Sequence, residues 1–332
     1  MSRDVAYYLG QPVVARRDDG TLEQIHEEAE DFRVYERKGQ ITSVMTSGTI
    51  YKDASNFGTI DRAARACRRW KAQGWSGAPS SPARVFARAL EEKVEAGDVM
   101  HPRAARPDRE VVDPARVTWL WIEALTQPDT VITEPVYHYD INQAFYSAVA
   151  KGLPARFVPY RAGDDRWVGE VEIKASQRPL PEPWELQETA FLTGDDVRFW
   201  GMDVEVKRAL TYEDHGVDLS PVFELVGGEF GAWTAKRARQ QSWGCFAQSS
   251  GSVTQKVYRG GDLQNESPLT DRWACPPWAL IVTRRIMRQV CAATQRADGL
   301  SLFVDSVLGT RPIPSGDGVG EWGLEGKYDG GI

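Results

Sequence analysis

The sequence predicts an α+β fold. Three observations point there. Residues 1 to about 60 alternate as short strands broken by turn residues. Two long helical patterns run over 230–246 and from about Pro277 to Gln295. Between them in character, the stretch from Tyr137 to Ser147 passes from strand to helix with a single acid, Asp140, at the change.

Taken in order, Asp18-Asp19-Gly20 is a hairpin signal, and Phe32–Tyr35 and Ile41–Met45 alternate with Lys38-Gly39 between them. Ala64, Cys67 and Trp70 lie at helical spacing, which predicts a helix over about Ile60–Trp70. Arg62, Arg65, Arg68, Arg69 and Lys71 along it read as a solvated face, with a phosphate-binding face as the alternative. The loop Gly77–Pro82 leads into a second helix over Pro82–Ala96. Residues 97–116, rich in Pro, Arg and Asp, read as a linker. Strands are expected near Thr118–Ile122 and over Val136–Asp140, and the helix after Asp140 is closed by Gly152 and Pro154. Another strand is expected over Trp167–Lys174. A loop at Pro179–Pro183 precedes strands over Thr189–Leu192, Val197–Trp200 and Val204–Thr211. After the 230–246 helix, residues 250–274 read as a polar loop. Beyond the next helix, Asp298-Gly299 turns into an apolar strand, Leu300–Leu308, and Gly316–Ile332 reads as glycine-rich loop.

A chain of 332 residues can hold two domains. No run approaches the roughly 20 apolar residues of a membrane span, and Met1–Val5 lacks the apolar core of a signal peptide. The cytoplasm is therefore the expected location, with no membrane partner. Cys67, Cys245, Cys275 and Cys291 are widely spaced, which argues against structural zinc and gives no reason for disulfides. The net charge of -7 counts against nucleic acid on average. Cations nevertheless cluster at Arg62–Lys71, Arg103–Arg109, Lys236–Arg239 and Arg284–Arg288, and an acidic mean can hide a basic groove.

Three stretches carry chemistry. A carboxylate at a strand end, such as Asp140, is well placed to hold a metal, although an Asp before a helix is more commonly an N-cap. Asp305 lies among Leu, Phe and Val, where a lone carboxylate is costly unless it is paired, metal-bound or turned to solvent. Lys236, Gln240, Trp243 and Gly244 fall on one side of a helix, where they suit either a triphosphate and base pair or a plain amphipathic surface.

The order of these stretches resembles family B DNA polymerases. Asp140-Ile141-Asn142-Gln143-Ala144-Phe145-Tyr146-Ser147 is similar to their first palm motif, D-x-N-S-L-Y-P-S. Lys236 to Gly244 is similar to the fingers motif K-x-x-x-N-S-x-Y-G, and Val304-Asp305-Ser306-Val307 to the end of Y-x-D-T-D-S. Gly320-Glu321-Trp322-Gly323-Leu324-Glu325 resembles the G-x-W-x-x-E segment of the protein-primed, phage-type branch. Phe199 to Glu205 resembles that branch's W-x-T-x-x-E-L segment.

The resemblance covers roughly residues 134–328 and implies a polymerase palm, an antiparallel sheet with helices on one face, plus helical fingers. Residues 1–100 then form a small N-terminal α/β region, at most a degenerate exonuclease-like domain. Residues 101–116 are a linker, 117–229 the first part of the palm, 230–296 the fingers helix and the helix after it, and 297–332 the second part of the palm. It implies template-directed addition of deoxynucleotides to a 3′-hydroxyl by two Mg2+ ions, with Mn2+ as an alternative. Asp140, Asp305 and the carbonyl of Ile141 are the implied metal ligands. Lys236 would neutralise the triphosphate, Phe145 would select the deoxyribose, and Gln240, Trp243 and Gly244 would flank the new base pair. The implied partners are DNA template-primer, deoxynucleoside triphosphates and a terminal protein primer.

Departures are specific. Phe303 stands where the third motif has its first acid; Gln240, Trp243 and Tyr146 replace Asn, Tyr and Pro. Trp119-Leu120-Trp121-Ile122 stands near where that branch carries Y-x-G-G. No exonuclease acid set is evident beyond a faint echo at Lys52–Phe57. The family's thumb is missing after Glu325, so the thumb is absent or the sequence is a fragment. Two alternatives follow: a catalytically degenerate palm acting as a nucleic-acid-binding replication accessory, and a primase-like or template-independent nucleotidyltransferase.

Overall fold

The computed structural model describes residues 4–9, 14–17, 22–24, 32–37, 40–46, 48–105, 111–112, 122–124, 132–178, 189–213, 216–247, 253–259, 262–269 and 273–329. The chain is a mixed α+β protein, as its sequence predicts, and it divides into two units. One comprises Met1–Val99 with Ser220–Ala274, the other Met100–Leu219 with Cys275–Ile332.

The first unit is built on an eight-stranded sheet in the order Asp262–Leu269, Val253–Arg259, Phe32–Arg37, Gln40–Met45, Thr49–Asp53, Asp4–Tyr8, Val14–Arg17, Leu22–Gln24. Its strand pairs are antiparallel, except that Asp4–Tyr8 runs parallel to Thr49–Asp53. Val253–Arg259 and Asp262–Leu269 thus form an antiparallel strand pair where their polarity suggests a loop. The described side chains there are half-buried or exposed, so no apolar alternation marks the strands. Pairing is set by the ladder onto Phe32–Arg37 and by the Lys256–Glu36 ion pair at 2.8 Å. The turn residues Asp18-Asp19-Gly20 and Lys38-Gly39 lie outside the described residues.

The helix Ile60–Ala72 lies on this sheet. Thr59 caps it by accepting from the Arg62 amide at 3.2 Å, an interaction of about 1 kcal/mol. Small residues, Ala63, Ala66 and Cys67, let the helix approach closely enough to bury Val5, Tyr7 and Phe57. The helix Pro82–Glu95 follows, with Ser81 as its cap and Pro82 in the first turn, where its missing amide costs nothing. The expected helix over 230–246 is the helix Ala232–Phe246, and a further helix, Ser220–Phe230, precedes it, separated at Gly231 with φ 77°. Phe86 joins them, with ring centroids 5.4 Å from Phe223 and 6.1 Å from Phe246.

The second unit holds a five-stranded antiparallel sheet in the order Trp322–Tyr328, Val136–Ile141, Ser306–Gly309, Gly299–Phe303, Ile122–Ala124. Two expectations are corrected here. Leu300–Leu308 is a hairpin whose turn is Val304-Asp305, and Trp322–Tyr328 is a strand within the glycine-rich stretch. Residues 118–121 lie outside the described residues. A four-stranded antiparallel sheet, in the order Phe157–Pro159, Met202–Tyr212, Trp167–Ser176, Ala190–Thr193, completes the unit's main architecture. The loop expected at Pro179–Pro183 also lies outside the described residues.

The expected strand Val197–Trp200 is part of a helix, Gly194–Trp200. Local chemistry wins over the apolar pattern. Thr193 and Asp196 form a reciprocal capping box, and Gly201 ends the helix in the left-handed region at φ 60°.

The helix Pro276–Arg296 supplies the core of this unit. Trp278, Leu280, Val282 and Val290 are fully buried, and the Trp278 indole donates to the Pro154 carbonyl at 2.9 Å. Burying one such indole contributes about 4–6 kcal/mol. The arginines of this helix are spent internally. Arg284 is buried, donating to the Phe191 carbonyl at 3.0 and 3.2 Å, and burial pushes its guanidinium down to about 10. Arg285 caps the carbonyls of Ala148 and Gly152, and Arg288 pairs with Asp195 and Asp196. The Arg284–Arg288 cluster is therefore part of the packing. Among the described residues no helix is long and apolar enough to cross a membrane.

Candidate active site

The strand Val136–Ile141 is flanked on both sides, so its backbone is fixed by two ladders. On one side Asp140 lies opposite Ser306, and on the other opposite Gly323. Directly opposed residues in an antiparallel pair have α-carbons about 4.5–5.5 Å apart. Asp305 is the neighbour of Ser306 and occupies the hairpin turn. Its carbonyl accepts from the Ile141 amide at 2.9 Å. The two acids thus sit side by side at the ends of paired strands, each half-buried. Phe303 takes the register position opposite Ser306 across the hairpin.

Asp140 is not a helix cap. The helix begins at Ala144, and its N-cap position is Gln143, whose side chain makes no capping bond. Gln143 adopts φ 54°, ψ 47°, the left-handed region. Such a conformation costs a non-glycine residue roughly 1–2 kcal/mol. It turns the chain sharply from strand into helix directly after the acid. Phe145 follows in the first helical turn and is buried.

Asn142 ties the strand end to the segment 316–323. Its amide donates to the Glu321 carbonyl at 2.9 Å, its Nδ2 to the Gly316 carbonyl at 2.8 Å, and its carbonyl accepts from the Gly320 amide at 2.7 Å. Two glycines make this closeness possible. A Cβ on Gly323 would stand 2.9 Å from Asn142 Oδ1, and one on Gly320, at φ 79°, 2.9 Å from Ser147 Cβ. Glu321 folds back to accept from the Gly318 amide at 2.8 Å, and Gln289 donates to the Gly320 carbonyl at 2.8 Å. Asn142 and Gln289 were not among the residues singled out from the sequence. Asn142 lies inside the quoted motif, but nothing in its spacing announces a clamp. Gln289 is an unremarkable polar residue of a long helix.

The donor set fits a hard cation. Asp140 and Asp305 offer carboxylate oxygens, and Ile141 a carbonyl, the ligand chemistry Mg2+ prefers. Among the described residues no three His, Cys, Asp or Glu side chains gather as a metal-binding group. The pair of acids is the candidate centre on its strand register alone.

Lys236, Gln240, Trp243 and Gly244 belong to the first unit. They share the less buried face of the helix Ala232–Phe246, with Lys236 exposed and the other three half-buried. The opposite face, Thr234, Ala235, Ala238, Ser242, Cys245 and Phe246, is buried. Arg237 donates to Gln240 Oε1 at 3.1 Å and steadies that amide.

No protein-family model and no curated protein matches this chain. Solved structures do. A phi29 DNA polymerase complexed with primer-template DNA superposes with TM-score 0.63 at 13% identity, covering 93% of this chain and 73% of that one. The ternary complex of phi29 DNA polymerase with primer-template DNA and incoming nucleotide gives 0.61 at 12%, covering 99% and 85%. The same polymerase complexed with single-stranded DNA gives 0.58 at 13%, covering 92% and 72%. At such identities the likeness is one of fold.

Proposed function

We propose that this chain is a template-directed DNA polymerase that adds deoxynucleotides to a primer 3′-hydroxyl with the help of two Mg2+ ions. The observation that carries the reading is the register that sets Asp140 and Asp305 next to each other on paired strands, within a fold similar to a DNA polymerase. The reaction joins the primer 3′-oxygen to the α-phosphorus and releases pyrophosphate.

Asp140, Asp305 and the Ile141 carbonyl are the residues proposed to hold the ions. Divalent metal, when bound, lowers the pKa of the attacking hydroxyl and offsets the charge of the triphosphate. The protein's own part is positioning. Double-sided pairing fixes the Asp140 backbone, and the Asn142 clamp fixes the turn that follows. Phe145 is the proposed aromatic at the sugar, excluding a 2′-hydroxyl. Lys236 is the proposed cation for the triphosphate, where a preoriented charge favours departure of pyrophosphate. Gln240, Trp243 and Gly244 are proposed to face the nascent base pair. The proposed partners are template-primer DNA, deoxynucleoside triphosphates and, for the protein-primed branch, a terminal protein. The cytoplasm remains the proposed location.

Phe303 favours a second reading, a palm that binds DNA without chemistry, because it removes one acid from the third motif. Primer extension with Mg2+ separates the two. The polymerase reading expects templated extension by the protein and its loss in Asp305→Ala. Equal extension by both would remove Asp305 from the site. DNA binding with no extension by either would leave the binding palm. Extension without a template would instead favour a template-independent transferase.

A further inference from the structure

We infer that the helix Ile60–Ala72 is a docking surface for the phosphate backbone of single-stranded DNA. The choice of DNA rests on the polymerase reading above, whereas the charge argument stands on the helix itself. One side of the helix is committed inward, to the sheet through Ala63, Ala66 and Cys67 and to Trp75 through the buried Trp70. The other exposes Arg65, Arg68, Arg69 and Lys71, with Arg62 half-buried at the start. The helix carries one acid, Asp61, against these five cations. Among the described residues no carboxylate pairs with Arg65 or Arg69.

The row does not end with the helix. The Arg62 guanidinium lies 4.5 Å from the centroid of the Trp233 ring, and that of Arg237 lies 5.9 Å from the same ring. Trp233 thereby links the basic face to the exposed Arg237 of the helix Ala232–Phe246, within the same unit. Cations held against an aromatic ring are oriented without being neutralised, so they remain available to an anion.

The dimensions suit one strand. From Arg62 to Lys71 the helix rises about 14 Å at 1.5 Å per residue. That length accommodates a few phosphates of a single strand, at about 3.4 Å or more of axial spacing each. The contrast with the other arginine-rich helix is physical. Arg284, Arg285 and Arg288 are bound to carbonyls and carboxylates of their own unit. In a protein of net charge -7, an exposed row of cations opposes the mean field and marks a local anion site.

The test is the salt dependence of binding to a labelled oligothymidylate of about 20 nucleotides, read by fluorescence anisotropy in EDTA. Each single-strand phosphate neutralised contributes about 0.7 to the slope of log K against log salt. Arg65→Ala/Arg69→Ala is expected to flatten the slope by about 1.4 relative to the unmodified protein. Arg65→Lys/Arg69→Lys is expected to keep it. Arg161→Ala/Arg311→Ala removes the same charge elsewhere and is expected to keep it too. Both alanines are good helix formers at exposed positions, and unchanged far-ultraviolet dichroism checks the fold. An unchanged slope in the Arg65/Arg69 pair, an equal loss in the control pair, or no binding by the unmodified protein would overturn the inference. Primer extension separates the readings. Normal extension with an unchanged slope sinks the docking surface alone, and the expected slope change without extension sinks the polymerase alone.

Discussion

The backbone amide of Ile141 donates to the carbonyl of Asp305 at 2.9 Å. This bond joins the end of the strand Val136–Ile141 to the tip of the neighbouring hairpin, and it involves neither carboxylate. The backbone at both acids is therefore held by main chain, and replacing either side chain leaves this bond in place.

Asp140→Asn and Asp305→Asn are accordingly expected to change stability by less than about 1 kcal/mol. Either is expected to lower Mg2+-dependent primer extension by about 10²–10³-fold. Thermal unfolding and single-turnover extension on the same preparations check this. A variant that extends primers normally would detach that acid from the reaction.

Asn142 and Gly323 should be energetically coupled. Removing the amide in Asn142→Ala leaves the Gly316 carbonyl without its 2.8 Å donor, at a cost of about 1–2 kcal/mol. Gly323→Ala places a methyl against Asn142 Oδ1 and should also destabilise. Because both act through one contact, Gly323→Ala should cost less in the Asn142→Ala background. A coupling of about 0.5–3 kcal/mol from denaturant titrations is expected, and strict additivity would refute the clamp.

Gln143 carries positive φ with an ordinary side chain. Gln143→Gly is expected to fold at least as stably, and Gln143→Val to lose about 1–2 kcal/mol, since a β-branched residue is most disfavoured there. Equal stabilities would show that the turn relaxes, and the sharp strand-to-helix reversal would not be enforced by this site.

Lys52 gives the first unit a pH signature. It lies in the strand Thr49–Asp53, and burial pushes its ammonium down from 10.5 to about 8, with the Arg84 charge adding to the effect. The sign follows from proton binding. Between about pH 8 and 10.5 the unfolded chain holds a proton the folded one has released, so stability rises with pH through that window. Below it the charge penalty is fully present. Lys52→Met is therefore expected to be more stable than the parent near neutral pH, with the advantage shrinking toward pH 10.5. A difference between the two melting curves that does not change with pH would exclude this account.

Some elements are legible because their signals are local. Ser81 with Pro82, and Thr59 before Ile60, mark helix starts by capping chemistry alone. The strand ending near Asp140 is marked by residue type and by the turn after it. Other elements are illegible for a common reason. The paired strands Val253–Arg259 and Asp262–Leu269 have no buried side chain among the described residues to impose alternation, and Trp322–Tyr328 is a glycine-bearing edge strand held by its neighbour Val136–Ile141. The helix Gly194–Trp200 was hidden by apolar residues that fit a strand equally well.

The sequence by itself determined the α+β class, the long helices and the two acids with the lysine-bearing helix as candidates. The class and the helices follow from periodicity, which acts within a few residues, and the acids and the lysine stand out as a site through the motif resemblance. Only the tertiary structure decided that Asp140 is no cap, that Asp305 sits in a turn beside it, and that Asn142 holds the segment around Gly320. It also separated two arginine-rich helices that look alike as strings. One spends its charges on buried carbonyls and carboxylates, and the other presents them outward. Strand register and burial join residues more than a hundred positions apart, and no local pattern encodes that pairing.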